Sequence, residues 1–487
     1  MNKTLSVAST LALLVSTSLS LTSQTTAAPS AKASTSSAAT ETDFRALYKE
    51  LVETNTTASS GSCTLAAERM ANRLKAAGYP DEDFHLFAVP EHPKDGGLVF
   101  IVPGRDPNAK AILLLAHIDA VEAKREDWTR DPFTLVEENG YFYARGSIDD
   151  KAEAAIWVDT LIRYKKEGFL PRRTLKLALT CGEEGGGHFN GAEWLSHHQR
   201  DLIDAEFALN EGAFGELDAQ GNRVALDIQA GEKVAANFQL EVTNPGGHSS
   251  RPVKNNAIYH LAGALKRIEA YEFPPQFTDG NRAYFTGMAK VEAAKGDTEI
   301  SNAMNALVKD PNDSAAIALV SSKDPTWNAT LRTTCVATML NAGHAPNALP
   351  QRADANINCR IFPGVAVETV RQKLGELVND PEVKITTLGQ QESSTPPPPL
   401  TSAVMGPFNK LAAKFWPGLP VVPILQPGAT DGRYLNAAGV PTYGIEPLFT
   451  GPDLGHIHGL NEYVGVKSLL DARDFLYQLV KIYADQK

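Results

Sequence analysis

The sequence predicts an α/β fold: an open sheet with helices on both faces, interrupted by an inserted domain of ferredoxin-like α+β order. Three observations carry that expectation. Near-continuous apolar runs alternate with helix-spaced segments over the first half, the pattern of buried strands and their crossover helices. Near Val234 the rhythm changes to strand, helix, strand, strand, helix, strand. The first pattern resumes after the run Ser394-Thr395-Pro396-Pro397-Pro398-Pro399, where four prolines can continue neither helix nor sheet.

The chain opens with Met1-Asn2-Lys3, a short basic segment, then an apolar run from Leu5 to Leu21 and small residues at 25–28. This reads as a signal peptide over 1–28, followed by a low-complexity linker at 29–42. GLVFIVPG (97–104) and AILLLAHID (111–119) then read as buried strands, and Lys151–Lys166 as a helix burying Ala155, Val158, Leu161 and Ile162. LKLALTCGEE (175–184) is a third strand, followed by a helix through Ala192 and Leu195, and FALNEG (207–212) is a fourth.

In the inserted segment, AANFQLEVT alternates as a strand, and 256–268 reads as a helix burying Ile258, Leu261, Leu265 and Ile268. An irregular stretch covers 274–328. Two strands follow around Cys335 and Cys359, then a helix over 365–378 and a strand over 383–389. The boundaries are therefore a larger domain in two parts, 43–232 and 394–487, with 233–393 inserted. A helix over 466–483 ends the pattern.

Composition bounds the rest. Of 487 residues 43% are apolar and 21% charged, and 57 acidic against 46 basic residues leave a net charge of −11. That balance argues against nucleic acid as a partner. After the first 28 residues no run approaches the length of a membrane span, so the expected mature protein is periplasmic or secreted and free of the membrane. Export permits disulfides. Cys335 and Cys359 lie roughly opposite each other across the turn-rich NAGHAPNALP, either bridged or as two small buried side chains; Cys63 and Cys181 read as ordinary core residues.

Acidic residues and histidines recur just beyond strand ends, where open α/β sheets collect functional groups. His117 and Asp119 close one strand, Asp149 and Asp150 follow YARGSI, Glu183 and Glu184 close another, Glu211 follows FALN, and His458 lies in GHIHGLNEYV. Clustered carboxylates repel, so a site holding Asp149, Glu184 and Glu211 needs cations. Histidine and carboxylate ligation without cysteine suits zinc, with cobalt or manganese possible. One bridging aspartate would let five ligands hold two ions.

AHID, GSIDDK, CGEEGGG, NEG and HGLNEYV, in that order, resemble the co-catalytic di-zinc exopeptidases and deacylases: glutamate carboxypeptidase, carboxypeptidase S, aminoacylase and succinyl-diaminopimelate desuccinylase. The resemblance spans about 45–485 and is nearest the carboxypeptidase S-like branch. It implies two zinc ions per chain, held by His117, Asp149, Glu184, Glu211 and His458, with Asp149 bridging and the Asp149–Asp150 peptide cis. Asp119 would orient His117, and Glu183 would be the general base. His456 is the rival to His458. In the inserted lid, the GGHSSRP motif implies that His248 stabilises an oxyanion in the partner's site, making the protein a homodimer through that domain. Asn347, Arg360 and Arg433 match substrate-binding positions.

The expected function is therefore an exported zinc metallopeptidase cutting an amide bond beside a free carboxylate, as a carboxypeptidase or dipeptidase does. An N-acyl-amino-acid hydrolase using the same machinery is the alternative, and a zinc-binding protein without catalysis is a third. Retention of Glu183 argues against the last, because a metal-binding scaffold needs no base.

Overall fold

The computed structural model describes residues 31–184, 189–389, 394–426 and 428–487. The segment read as a signal peptide lies outside them. The segment read as a linker enters a helix, Ala31–Val52, from its third residue. Residues up to Asp43 form one unit, and Phe44–Lys487 a second that holds everything below.

The large sheet is built around four parallel strands. Leu175–Thr180, Ile112–His117, Phe207–Asn210 and Thr442–Gly444 lie side by side in that order, so Thr180, His117, Asn210 and Gly444 end at the same edge. Antiparallel His92–Val102 and Phe84–Val89 extend one side, and Arg223–Glu232 with its parallel partner Val421–Gln426 extends the other. Side chains alternate across the sheet. Ile112, Leu114 and Ala116 pack with the 63–76, 151–167 and 466–485 helices, while Leu113 and Leu115 pack with Leu195, Ile203 and Leu435. Both faces are covered, as the apolar runs implied.

The inserted sheet has the order Thr334–Ala342, Arg352–Ile361, Val234–Thr243, Lys384–Leu388, all antiparallel. Counted along the chain that is 2-3-1-4, the ferredoxin-like order. Helices Ala257–Glu269 and Val367–Val378 supply Leu261, Ile268, Val370 and Leu374 to its core. Ile258, expected to be buried, is exposed; the inward stripe runs through Ala257, Leu261, Ala264 and Ile268.

Two further expectations need correction. The stretch read as irregular forms four helices, Asp279–Lys295, Thr298–Lys309, Ser314–Lys323 and Pro325–Leu331. Thr278, Asp297, Asp313 and Asp324 cap their N-termini, each accepting from otherwise orphaned amides. Their core, including Phe285, Met304 and Leu331, packs on Ala225 and Val422 of the large sheet. Gly287 makes that approach close, since a Cβ there would press on Val422. Second, Cys63 and Cys181 are bonded to each other, not merely buried. Cys335 and Cys359 are also bonded, as directly paired residues of neighbouring strands.

Candidate metal centre

The site grows from the edge where the parallel strands end. His117 is the last residue of its strand and 1% exposed. Glu183 and Glu184 follow the neighbouring strand, and Glu211 follows the next. Asp149 enters from the loop ahead of the Lys151–Glu167 helix, and its peptide bond to Asp150 is cis. His458 comes from a loop in which Leu454, Gly455, His456, His458 and Asn461 all have positive φ, between 51° and 65°. Four of those five carry side chains, an uncommon run of left-handed residues.

Asp149 faces two histidines, with Oδ1 2.9 Å from His117 Nε2 and Oδ2 3.2 Å from His458 Nε2. His458 Nε2 is also 2.9 Å from the Glu184 carboxylate, and Glu211 lies 3.8 Å from His117 Nε2. Asp119 sits behind His117, 3.5 Å from Nδ1, and accepts a hydrogen bond from the Glu184 amide at 3.0 Å. One ligand-type atom each from His117, Asp149 and Glu184 falls within 4.8 Å of the others, and so do His117, Glu183 and Glu211. Proximity alone thus does not separate Glu183 from the ligands. Cys63, Cys181 and Asp119 also converge, but the sulfurs are bonded to each other and so offer no thiolate.

The electrostatics call for positive charge. Burial alone would lower the His117 pKa, yet Asp119 and Asp149 overcome it and raise it well above the ordinary value. Hydrogen bonds to Asp149 and Glu184 raise His458 to about 10. Burial pushes Glu211 and Glu184 up, the latter against the pull of His458. Burial lifts Glu183 to about 8, with Asp431, Glu184 and Asp149 adding to the rise and His117 opposing it. Imidazoles held toward their protonated form amid crowded carboxylates mark a place for cations. The donor set fits a pair of divalent ions, whose binding would displace those protons.

The other expected residues lie on the insert and at its root. His248 pairs with Ala348 in a two-residue ladder, and next to it the Ser249 amide donates to Asn347 O at 3.0 Å. His248 is exposed, and its Nδ1 lies 2.8 Å from Ser250 Oγ. Arg360 sits on the strand opposite Ala235 and Thr334. Arg433 lines a small cavity with Glu232, Lys233, Pro396, Pro397 and Pro398, where the insert joins the sheet. His456 faces Asp453 and Tyr463 and is not part of the cluster, which favours His458.

Sequence reading missed the braces. Glu462, 1% exposed, accepts from Arg145 Nη1 at 2.7 Å and from the amides of Gly146 and Ile148, both at 3.0 Å. It ties the His458 loop to the Asp149 loop. The only signal was its place in HGLNEYV, which marks the loop without naming the contact.

A histidine and carboxylate cluster at the C-terminal edge of an α/β sheet, with a ferredoxin-like insert, defines a metal-dependent hydrolase of peptide and amide bonds. The chain belongs to peptidase family M20/M25/M40, which matches residues 113–482. It is 30% identical over 396 residues to the mouse (Mus musculus) N-fatty-acyl-amino acid synthase/hydrolase PM20D1, covering 79% of this chain and 76% of that one. It is 29% identical over 398 residues to probable carboxypeptidase S-like 2 of Dictyostelium discoideum, covering 79% and 74%. In fold it resembles the M20 metallo-carboxypeptidase Sso-CP2 of Sulfolobus solfataricus, with TM-score 0.63 and 19% identity over 91% of this chain and 99% of that one.

Proposed function

We propose that the protein is an exported, zinc-dependent hydrolase of amide bonds next to a free carboxylate, acting on peptides as a carboxypeptidase or dipeptidase. One observation carries the reading: Asp149 presents one oxygen to each of two histidines while Glu183, unpaired with either, stands beside them. His117, Asp149 and Glu211 would hold one ion, and Asp149, Glu184 and His458 the other. Bound zinc supplies Lewis acidity, polarising the scissile carbonyl and making water a better nucleophile.

The chain's own residues do the rest. Glu183 takes a proton from the attacking water and delivers it to the leaving amine. Asp119 fixes the orientation of the His117 ring from behind. His248 stabilises the oxyanion in a partner's site, and Asn347, Arg360 and Arg433 hold the substrate. Residues 43–232 and 394–487 form the catalytic domain and 233–393 the lid. Dimerisation through the lid is supported by the edge strand Thr334–Ala342, which exposes Val336, Met339 and Leu340 at 59–63%. Export after cleavage at about residue 28 is supported by the N-terminal apolar run and two disulfides.

A second reading, hydrolysis of N-acyl amino acids, is favoured by the likeness to the mouse hydrolase. Assaying zinc-loaded mature protein on dipeptides, longer peptides and N-acyl amino acids separates the two. Glu183→Gln is expected to keep two ions per chain and lower turnover by about 10²–10⁴-fold. Metal loss in that variant, or near-normal activity, would refute the assignment.

A further inference from the structure

Asp431 is buried at 1% exposure and belongs to none of the ligand sets above. Its Oδ2 accepts from Thr180 Oγ1 at 2.9 Å, and its Oδ1 accepts from Asn190 Nδ2 at 2.5 Å. Asn190 Nδ2 also reaches Gly182 O at 3.3 Å, while Asn190 Oδ1 caps the Gly191–His198 helix through the Glu193 amide at 2.8 Å. One carboxylate therefore grips the chain at Thr180 directly and at Gly182 through Asn190.

Those are the residues that aim Glu183. Gly182 turns the chain with φ +92°, in a space so tight that a Cβ would run into Phe189 O. A shift at Thr180 or Gly182 is passed directly to Glu183. The same short segment is anchored on its other side. The Thr430 amide and hydroxyl donate to Glu232 at 3.0 and 2.6 Å, and Asn210 Nδ2 donates to Thr430 Oγ1 at 3.2 Å. Consecutive residues thus clamp two catalytic strand ends and the root of the insert. Burying a carboxylate is costly even when it is hydrogen-bonded, and both hydrogen-bond donors to Asp431 are neutral groups. Such a placement calls for a return in geometry.

We propose that Asp431 is the positioning residue for Glu183, acting through the two hydrogen bonds that hold the Thr180–Gly182 strand exit. This rests on Glu183 being the base. The grip needs two hydrogen-bonding atoms and not a charge. Asparagine can supply them, its oxygen accepting from Asn190 and its amide donating to Thr180 Oγ1, whose own proton can turn to Ala116 O, 3.4 Å away.

The test compares Asp431→Ala with Asp431→Asn in the full-length, zinc-loaded protein. Asp431→Ala should lower kcat by about 10–100-fold, the scale of a misplaced catalytic group. KM should stay within about threefold of wild type, and two zinc ions should remain per chain. Asp431→Asn should keep kcat within about threefold of wild type. Amide exchange in the peptide covering 175–184 should accelerate in the alanine variant and not in the asparagine one. If Asp431→Ala does not fold, Asn190→Ala removes the branch that reaches Gly182 and should lower kcat in the same direction with zinc retained.

Equal losses in both Asp431 variants would show that charge matters rather than geometry, and would overturn the proposal. So would zinc loss, an effect confined to KM, or unchanged kcat in the alanine variant. If wild type cleaves none of the substrates, or Glu183→Gln is fully active, the functional reading fails instead. Amide exchange then decides the grip alone, and identical exchange in wild type and Asp431→Ala refutes it.

Discussion

Replacing Glu462 by glutamine should damage stability and metal binding by separable amounts. The Glu462 carboxylate uses both oxygens as acceptors. Oε2 takes Arg145 Nη1 at 2.7 Å and the Gly146 amide at 3.0 Å, and Oε1 takes the Ile148 amide at 3.0 Å. Glutamine has only one accepting oxygen, so one side of the brace must face a donor with a donor. Arg145 is also left charged, with its side chain 3% exposed. Removing one partner of a buried pair costs about 3–5 kcal/mol. A chain of this length has an unfolding entropy on the order of 1 kcal/mol/K, so Tm should fall by about 3–5 °C. The brace also sets the distance between Asp149 and His458, and losing such support typically costs about 10–100-fold in metal affinity. Calorimetry gives the first quantity, and zinc competition against a chelator gives the second. The double variant Arg145→Met/Glu462→Leu sharpens the test, because apolar replacement of a buried pair can restore stability without restoring the loop geometry. It should recover only part of the lost Tm, because the Gly146 and Ile148 amides still lose their acceptor, and none of the zinc affinity. Wild-type zinc affinity in either variant would refute the idea that Glu462 sets the ligand spacing.

Burial raises Glu232 to about 7, against about 4.3 in an unfolded chain. The folded state holds that proton more tightly, so its contribution to stability is greatest at low pH and is lost as pH rises toward 7. With the side chain only partly shielded from solvent, the loss should be roughly 1–3 kcal/mol, and Glu232→Gln should lack this part of the slope when denaturation is followed from pH 4.5 to 7.5. The Cys63–Cys181 bridge closes 118 residues, so replacing both cysteines by serine should lower unfolding free energy by about 4–5 kcal/mol in denaturant titrations. Mixing His248→Ala with Glu183→Gln subunits under exchange should restore part of the activity if sites are shared across a dimer. A fully active monomer by light scattering would show that they are not.

The strands and ligand-bearing turns were legible because their signals are local. AILLLAHID announces a buried strand and its functional end within nine residues, and FALNEG does so within six. The four-helix segment was misread as irregular, although Asp297, Asp313 and Asp324 are cap signals, with Pro325 at a first helical position. Short helices with mixed faces obscured the period, and no pattern indicated that they pack on the large sheet. Cys63 and Cys181 could not be paired by reading, since nothing local joins residues 118 apart. Glu462 and Asp431 were hidden for the same reason. Glu462 sits in the recognised HGLNEYV and Asp431 two residues before Arg433, yet their partners lie more than 240 positions earlier in the chain.

Those long spans bear on when during synthesis the protein can become active. His458 meets Glu184 across 274 residues, and Glu462 reaches Ile148 across 314. A ribosome adding about 5–20 residues per second needs tens of seconds to cover that distance. For most of that interval His117, Asp149, Glu184 and Glu211 are already made, without the second histidine and without the brace that spaces it. Four of the five expected ligands thus wait on the fifth, and the site can be completed only when the 430–462 segment arrives.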